Sequence, residues 1–180
     1  MAIKKQIAFE GLTYNLGNKD RVAADSVLQS GGNFSLNTAV QYTTPVLQTD
    51  AAETLTVAAN AGRTTIIPNV SADRIYTLPQ VAEGLYLHLV GFGALAADGH
   101  DVSIITDTAG TEFFQGAVAH HDTDQTGQTT SIVWGNGSSN DTIKLDVVEG
   151  FDLHFLGKSS TVWYLWGWSA GVTVITVADS

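Results

Sequence analysis

The sequence contains no cysteine, which excludes disulfide scaffolds, thiolate zinc sites, iron–sulfur clusters and cysteine nucleophiles. Charge is sparse, at 14% against 44% hydrophobic residues, and that balance argues against a disordered chain. Positive charge is scarcer still, with eight Lys and Arg facing eighteen Asp and Glu. So acidic a chain repels nucleic acid and anionic lipid, and neither is expected as a partner. No apolar run approaches the roughly 20 residues of a membrane span, and the opening MAIKKQIAFEG has no signal-peptide core. Catalytic motifs are missing too: there is no GxSxG elbow, no GxGxxG turn, no Walker loop and no HExxH. Acidic residues are plentiful, but nothing in their spacing singles out a catalytic pair. The expectation is a protein that is not an enzyme and carries no cofactor. With 180 residues, a single core burying roughly 70% of the unfolded surface needs no covalent staple.

What charge there is divides unevenly. Residues 1–21 hold Lys4, Lys5, Lys19 and Arg21 against Glu10 and Asp20, a net of +2, while the remainder is −12. A basic leader on an acidic body suits docking onto another acidic protein surface; the alternative is a solvated tail. Residues 1–49 are rich in Ala, Ser, Asn, Gln and Gly, with only a weak helical face around Asp20–Leu28. Ile3, Ile7, Phe9, Leu12, Tyr14 and Leu16 are too many apolar residues for a spacer, and fit an extended arm that packs against a partner.

From about Thr49 the texture becomes short β runs between turn signals. Strands are expected at 54–58, 63–68, 74–78, 85–90, 102–106, 131–134, 142–147, 151–156, 162–168 and 172–177. Leu85, Leu87 and Leu89 alternate with Tyr86, His88 and Val90; Ile143, Leu145 and Val147 with Thr142, Lys144 and Asp146; Phe151, Leu153 and Phe155 with Asp152 and His154. Glu149-Gly150 is the favoured hairpin turn, and Gly91–Gly99 and His120–Thr130 are expected to be loops. The pattern predicts an all-β fold: an antiparallel jelly-roll-like sandwich, or a barrel, over residues 50–180, behind an extended N-terminal arm over 1–49.

Two clusters invite a chemical reading. His120, His121, Asp122 and Asp124 are metal-ligand types in one stretch, yet adjacent residues of an extended segment point opposite ways, so a polar loop tip is the expectation and no metal is assigned. Trp163, Tyr164, Trp166 and Trp168 are the second, with Trp134 upstream. On a strand, Tyr164, Trp166 and Trp168 share a face opposite to Trp163. Such a row stacks on sugar rings or builds subunit interfaces, and the interface is preferred because rows of indoles left in water are rare.

The runs Glu53–Arg63, Arg74–Gln80 and Glu83–Gly91, followed by Asp141–Asp146, Gly150–Leu156 and Thr161–Gly167, resemble the small β domains of tailed-bacteriophage virion proteins, the capsid decoration (cement) proteins and head and tail fibres. The resemblance covers roughly residues 49–170. It implies a structural protein, commonly a homotrimer, assembled in the host cytoplasm and bound to the major capsid protein on the outer surface of the virion. Lys4, Lys5, Ile7, Phe9, Lys19 and Arg21 are then the candidate capsid-anchoring residues, and Tyr164, Trp166 and Trp168 the candidate subunit interface. A receptor- or carbohydrate-binding module of a fibre is the alternative.

Overall fold

The computed structural model describes residues 5–9, 12–16, 44–92, 100–124, 129–146 and 148–179. The chain divides into two compact units, residues 1–41 and 42–180. In the first unit, β1 (Lys5–Phe9) and β2 (Leu12–Leu16) form an antiparallel hairpin, a local pairing where an extended arm was expected. Lys5, Ile7 and Phe9 are alternate positions of β1, opposite Leu16, Tyr14 and Leu12. Lys4, Lys19, Arg21 and the stretch Asp20–Leu28 lie outside the described residues.

The second unit is nearly all β. In chain order it runs β3 (Val46–Leu47), β4 (Glu53–Thr54), α1 (Val57–Asn60), β5 (Thr64–Ile66), β6 (Arg74–Thr77), β7 (Tyr86–Phe92), β8 (Asp101–Ile105), β9 (Phe113–Asp122), β10 (Thr130–Asn136), β11 (Thr142–Asp146), β12 (Val148–Gly157), β13 (Val162–Gly171) and β14 (Thr176–Ala178). Two sheets result, one ordered β10-β9-β13-β12-β7-β5-β3 and the other β14-β11-β8-β6-β4. Their inward residues form one cluster. Val102, Ile104, Ile143 and Leu145 come from the smaller sheet, and Leu87, Leu153, Phe155 and Trp163 from the larger. Each buried side chain of this size contributes about 1.5–3 kcal/mol.

Both sheets are mixed, which corrects the antiparallel expectation. The β13–β9, β3–β5 and β5–β7 ladders are parallel in the larger sheet, as are β4–β6 and β6–β8 in the smaller. Inward-outward alternation is the same for either direction, so periodicity could not distinguish them. Among the described residues each sheet ends in two unjoined strands, β10 and β3 or β14 and β4, and neither closes into a barrel.

Several element assignments also change. The strand expected over 54–58 stops at Thr54, because Thr56 caps a helical turn. Its Oγ1 accepts from the Ala59 N–H at 3.2 Å, and the buried Asn60 side chain accepts from the Thr56 N–H at 2.9 Å. Glu149-Gly150 is not a hairpin: β11 and β12 belong to different sheets, and a register shift falls between Val148 and Gly150. Residues 172–177 reach strand geometry only from Thr176. His120–Asp122 and Thr130 are strand residues rather than loop, and Gly91 and Phe92 belong to β7, while 93–99 and 125–128 lie outside the described residues.

Candidate functional site

The larger sheet has one face in the core and one open. Along β7, β12 and β13, Leu87, Leu89, Leu153, Phe155, Trp163 and Leu165 are buried, and the residues between them point outward. Pairing aligns these outward residues across strands. His154 of β12 lies opposite His88 of β7 on one side and Trp166 of β13 on the other. Beyond Trp166 the row continues through Ala117 of β9 to Trp134 of β10.

The rings in that row stack. His88 and His154 are 4.3 Å apart at 4° between planes, and His154 and Trp166 are 5.2 Å apart at 6°. Parallel rings so close must face one another, because edge to edge they would overlap. Tyr86 joins the cluster, 6.4 Å from the Trp166 ring.

Asp152, two residues before His154 on the same face of β12, joins the two histidines. The Nε2–H groups of His88 and His154 both donate to Asp152 Oδ1, at 2.8 and 3.0 Å. The Nδ1 atoms accept from the hydroxyls of Thr64, at 3.1 Å, and Tyr86, at 2.7 Å. This network satisfies every ring nitrogen with both imidazoles neutral; the hydrogen-bond pattern assigns these tautomers. Burial, reinforced by the neighbouring His88, holds the His154 pKa below its ordinary value, and burial followed by the Asp152 charge raises that of Tyr86. Alternation in the sequence turns His88, Asp152 and His154 outward without joining them; the available signal is an outward histidine in one strand and an Asp-x-His in another.

On the other side of Trp166 the face is apolar. Tyr164, Trp166 and Trp168 are 40%, 42% and 41% exposed, in agreement with the outward row expected from alternation, and Trp163 is fully buried as expected. Ile132 and Trp134 of β10 extend the patch at 51% and 68% exposed. Ala117 and Ala119 of β9 form the floor between these two lines. Strands two apart lie about 9.5 Å from each other, so the alanines leave a shallow slot between Trp134 and Trp166. Lys158 Nζ closes one end, 5.1 Å from the Tyr164 ring centre and 2.7 Å from Gln115 Oε1.

The side chains of the His120–Asp124 stretch turn to different partners. His120 is buried and its Nδ1 shares a hydrogen bond of 3.0 Å with Ser169 Oγ. His121, next along β9, points to the opposite face. Asp122 instead accepts from the Asp124 N–H at 3.2 Å. Burial lowers the His120 pKa from 6.5. The unfolded chain therefore binds a proton that the native chain refuses, so this residue costs stability as pH falls below about 6.5. Urea midpoints at pH 7.5 and 5.5 are expected to drop on acidification, and to drop less in His120→Asn. A residual fall persists through His154, whose shift has the same sign.

No family model, curated protein or solved structure matches the chain.

Proposed function

We propose that this chain is a structural virion protein, a decoration protein that binds the outside of a tailed-phage capsid and stabilises the mature head as a homotrimer. In this reading the second unit is a jelly-roll-like body, and the first unit, with Lys4, Lys5, Ile7, Phe9, Lys19 and Arg21, contacts the major capsid protein. The observation that carries the proposal is the apolar stripe on the larger sheet: five large side chains, each at least 40% exposed, on an otherwise acidic, well-packed body. A continuous patch of this kind on a monomer marks a surface covered by a partner. A trimer covers it and makes the capsid contacts multivalent, and bridging subunits only in the expanded shell stabilises that state by mass action.

Light scattering and head-binding assays test this together. The full chain is expected at three times its monomer mass and bound to expanded heads. In Trp166→Ala/Trp168→Ala the trimer is expected to dissociate, each indole costing roughly 30-fold in affinity. A trimer untouched by the double substitution overturns the interface assignment.

The slot over Ala117 and Ala119 favours a second reading, a carbohydrate-binding module in which Trp134 and Trp166 flank a sugar ring. A monomeric wild-type chain whose glycan binding is lost in Trp166→Ala supports that reading instead.

A further inference from the structure

We propose that His88, Asp152 and His154 form a binding site for a divalent transition-metal ion of the zinc, nickel or cobalt type. The site does not rest on the capsid reading, and it borders the proposed trimer contact at Trp166.

The donor set and its convergence come first. Two imidazole Nε2 atoms and a carboxylate oxygen lie within 4.8 Å of one another, with N···O separations of 2.8 and 3.0 Å. At metal–ligand bonds of about 2.1 Å, such separations subtend roughly 85–90° at an ion, the angle between neighbouring ligands in an octahedral or square-based site. Two nitrogens among three donors select against calcium and magnesium, which require oxygen.

The outer partners come second. A ligating histidine is held by a hydrogen bond at its other nitrogen, and here both are: His88 by Thr64 and His154 by Tyr86. A hydroxyl donates or accepts equally well. When each imidazole proton shifts from Nε2 to Nδ1, the hydroxyl turns to accept it. Both Nε2 lone pairs then face Asp152 with no hydrogen bond lost at Nδ1, and the ion occupies the place of the two Nε2 protons.

Position comes third. The three side chains rise from two adjacent, directly paired strands and are 20–29% exposed, so the backbone is set and an ion has a path from solvent. The stacked rings must splay for one ion to lie in both ring planes. His154 is stacked between His88 and the exposed Trp166, with the Tyr86 ring 6.1 Å away, and these rings must give as it turns. Three protein ligands leave the remaining positions open to water.

The test is calorimetric titration of the metal-stripped full chain with Zn(II) and Ni(II), with Mg(II) as a control, followed in parallel by the visible absorption of Co(II). One ion per chain, silence with Mg(II) and Co(II) bands that Zn(II) displaces are expected. Asp152→Asn, which keeps the shape of the residue, and His154→Ala are each expected to weaken binding at least 100-fold. Tyr86→Phe, which removes only a hydroxyl, is expected to weaken it about 10-fold. His121→Ala, on a different strand, is expected to leave binding unchanged. Absence of binding to the wild-type chain overturns the proposal, as does binding that survives unchanged in Asp152→Asn. Should His154→Ala fail to fold, Asp152→Asn and Tyr86→Phe decide the outcome alone.

Discussion

Trp163→Ala is expected to lower the unfolding free energy by about 4 kcal/mol, enough to unfold a marginal domain, whereas Trp163→Phe is expected to cost under about 1.5 kcal/mol. Trp163 is fully buried where the two sheets meet and packs edge-on against Phe155, with ring centres 6.5 Å apart. Alanine leaves a cavity the rigid sheet cannot fill. Phenylalanine keeps most of the volume and also removes a liability: Trp163 Nε1 is buried without a hydrogen-bond partner, and so is Oε2 of the buried Glu112. Burial raises the Glu112 pKa, and the polar contact from the Trp163 indole N–H is the smallest influence on it, too poor in geometry to satisfy either group. Deleting an unsatisfied N–H recovers part of its desolvation cost, which offsets the lost contacts. Urea unfolding of both variants at equal m-value measures the contrast, and equal losses for Ala and Phe would refute the packing account.

Gly167→Ala is expected to prevent cooperative folding, with a loss above about 4 kcal/mol. Gly167 has φ of 144°, and a Cβ there would lie 2.1 Å from the main-chain oxygen of Asp152 on the neighbouring strand. No side chain can move aside, so the β12–β13 ladder itself must open. Gly116 repeats the arrangement on β9, at φ of 137° with a Cβ 2.0 Å from the oxygen of Leu165. Gly62→Ala serves as the control: its φ is 67° but nothing lies within 4 Å, so about 1 kcal/mol of backbone strain is all that is expected. Soluble yield and urea midpoints distinguish them. A Gly167→Ala protein within 1 kcal/mol of wild type would show that the strands separate easily.

Alternation made much of this fold legible. Leu87, Leu89, Ile143, Leu145, Phe151, Leu153 and Phe155 are buried as their spacing requires, and the split between inward Trp163 and outward Trp166 follows the same rule. Strand β9 was not legible because its inward positions are Phe114, Gly116, Val118, His120 and Asp122, only three of them apolar or aromatic enough to register, or fewer if histidine is read as polar. The expected Val147 position lies outside the described residues. The His88–Asp152–His154 cluster was illegible for a different reason. His88 lies 64 residues before Asp152, and only the register of β7 against β12 brings it to the Asp152–His154 pair. Register between distant strands is a tertiary property that no local window contains.

The parallel pairing of β9 with β13 has a consequence for biosynthesis. Among the described residues, β13 alone joins the β10–β9 pair to the block β12-β7-β5-β3. Until residues 162–171 leave the ribosome, each part carries an open edge where β13 belongs, with half-covered apolar surface behind it. Non-local contacts of this kind close slowly, because a long loop must be ordered before any pairing rewards it. Nascent chains stalled before Val162 are therefore the species most exposed to edge-to-edge aggregation, and emergence of the Trp-rich strand is the step that commits the polypeptide to its native topology.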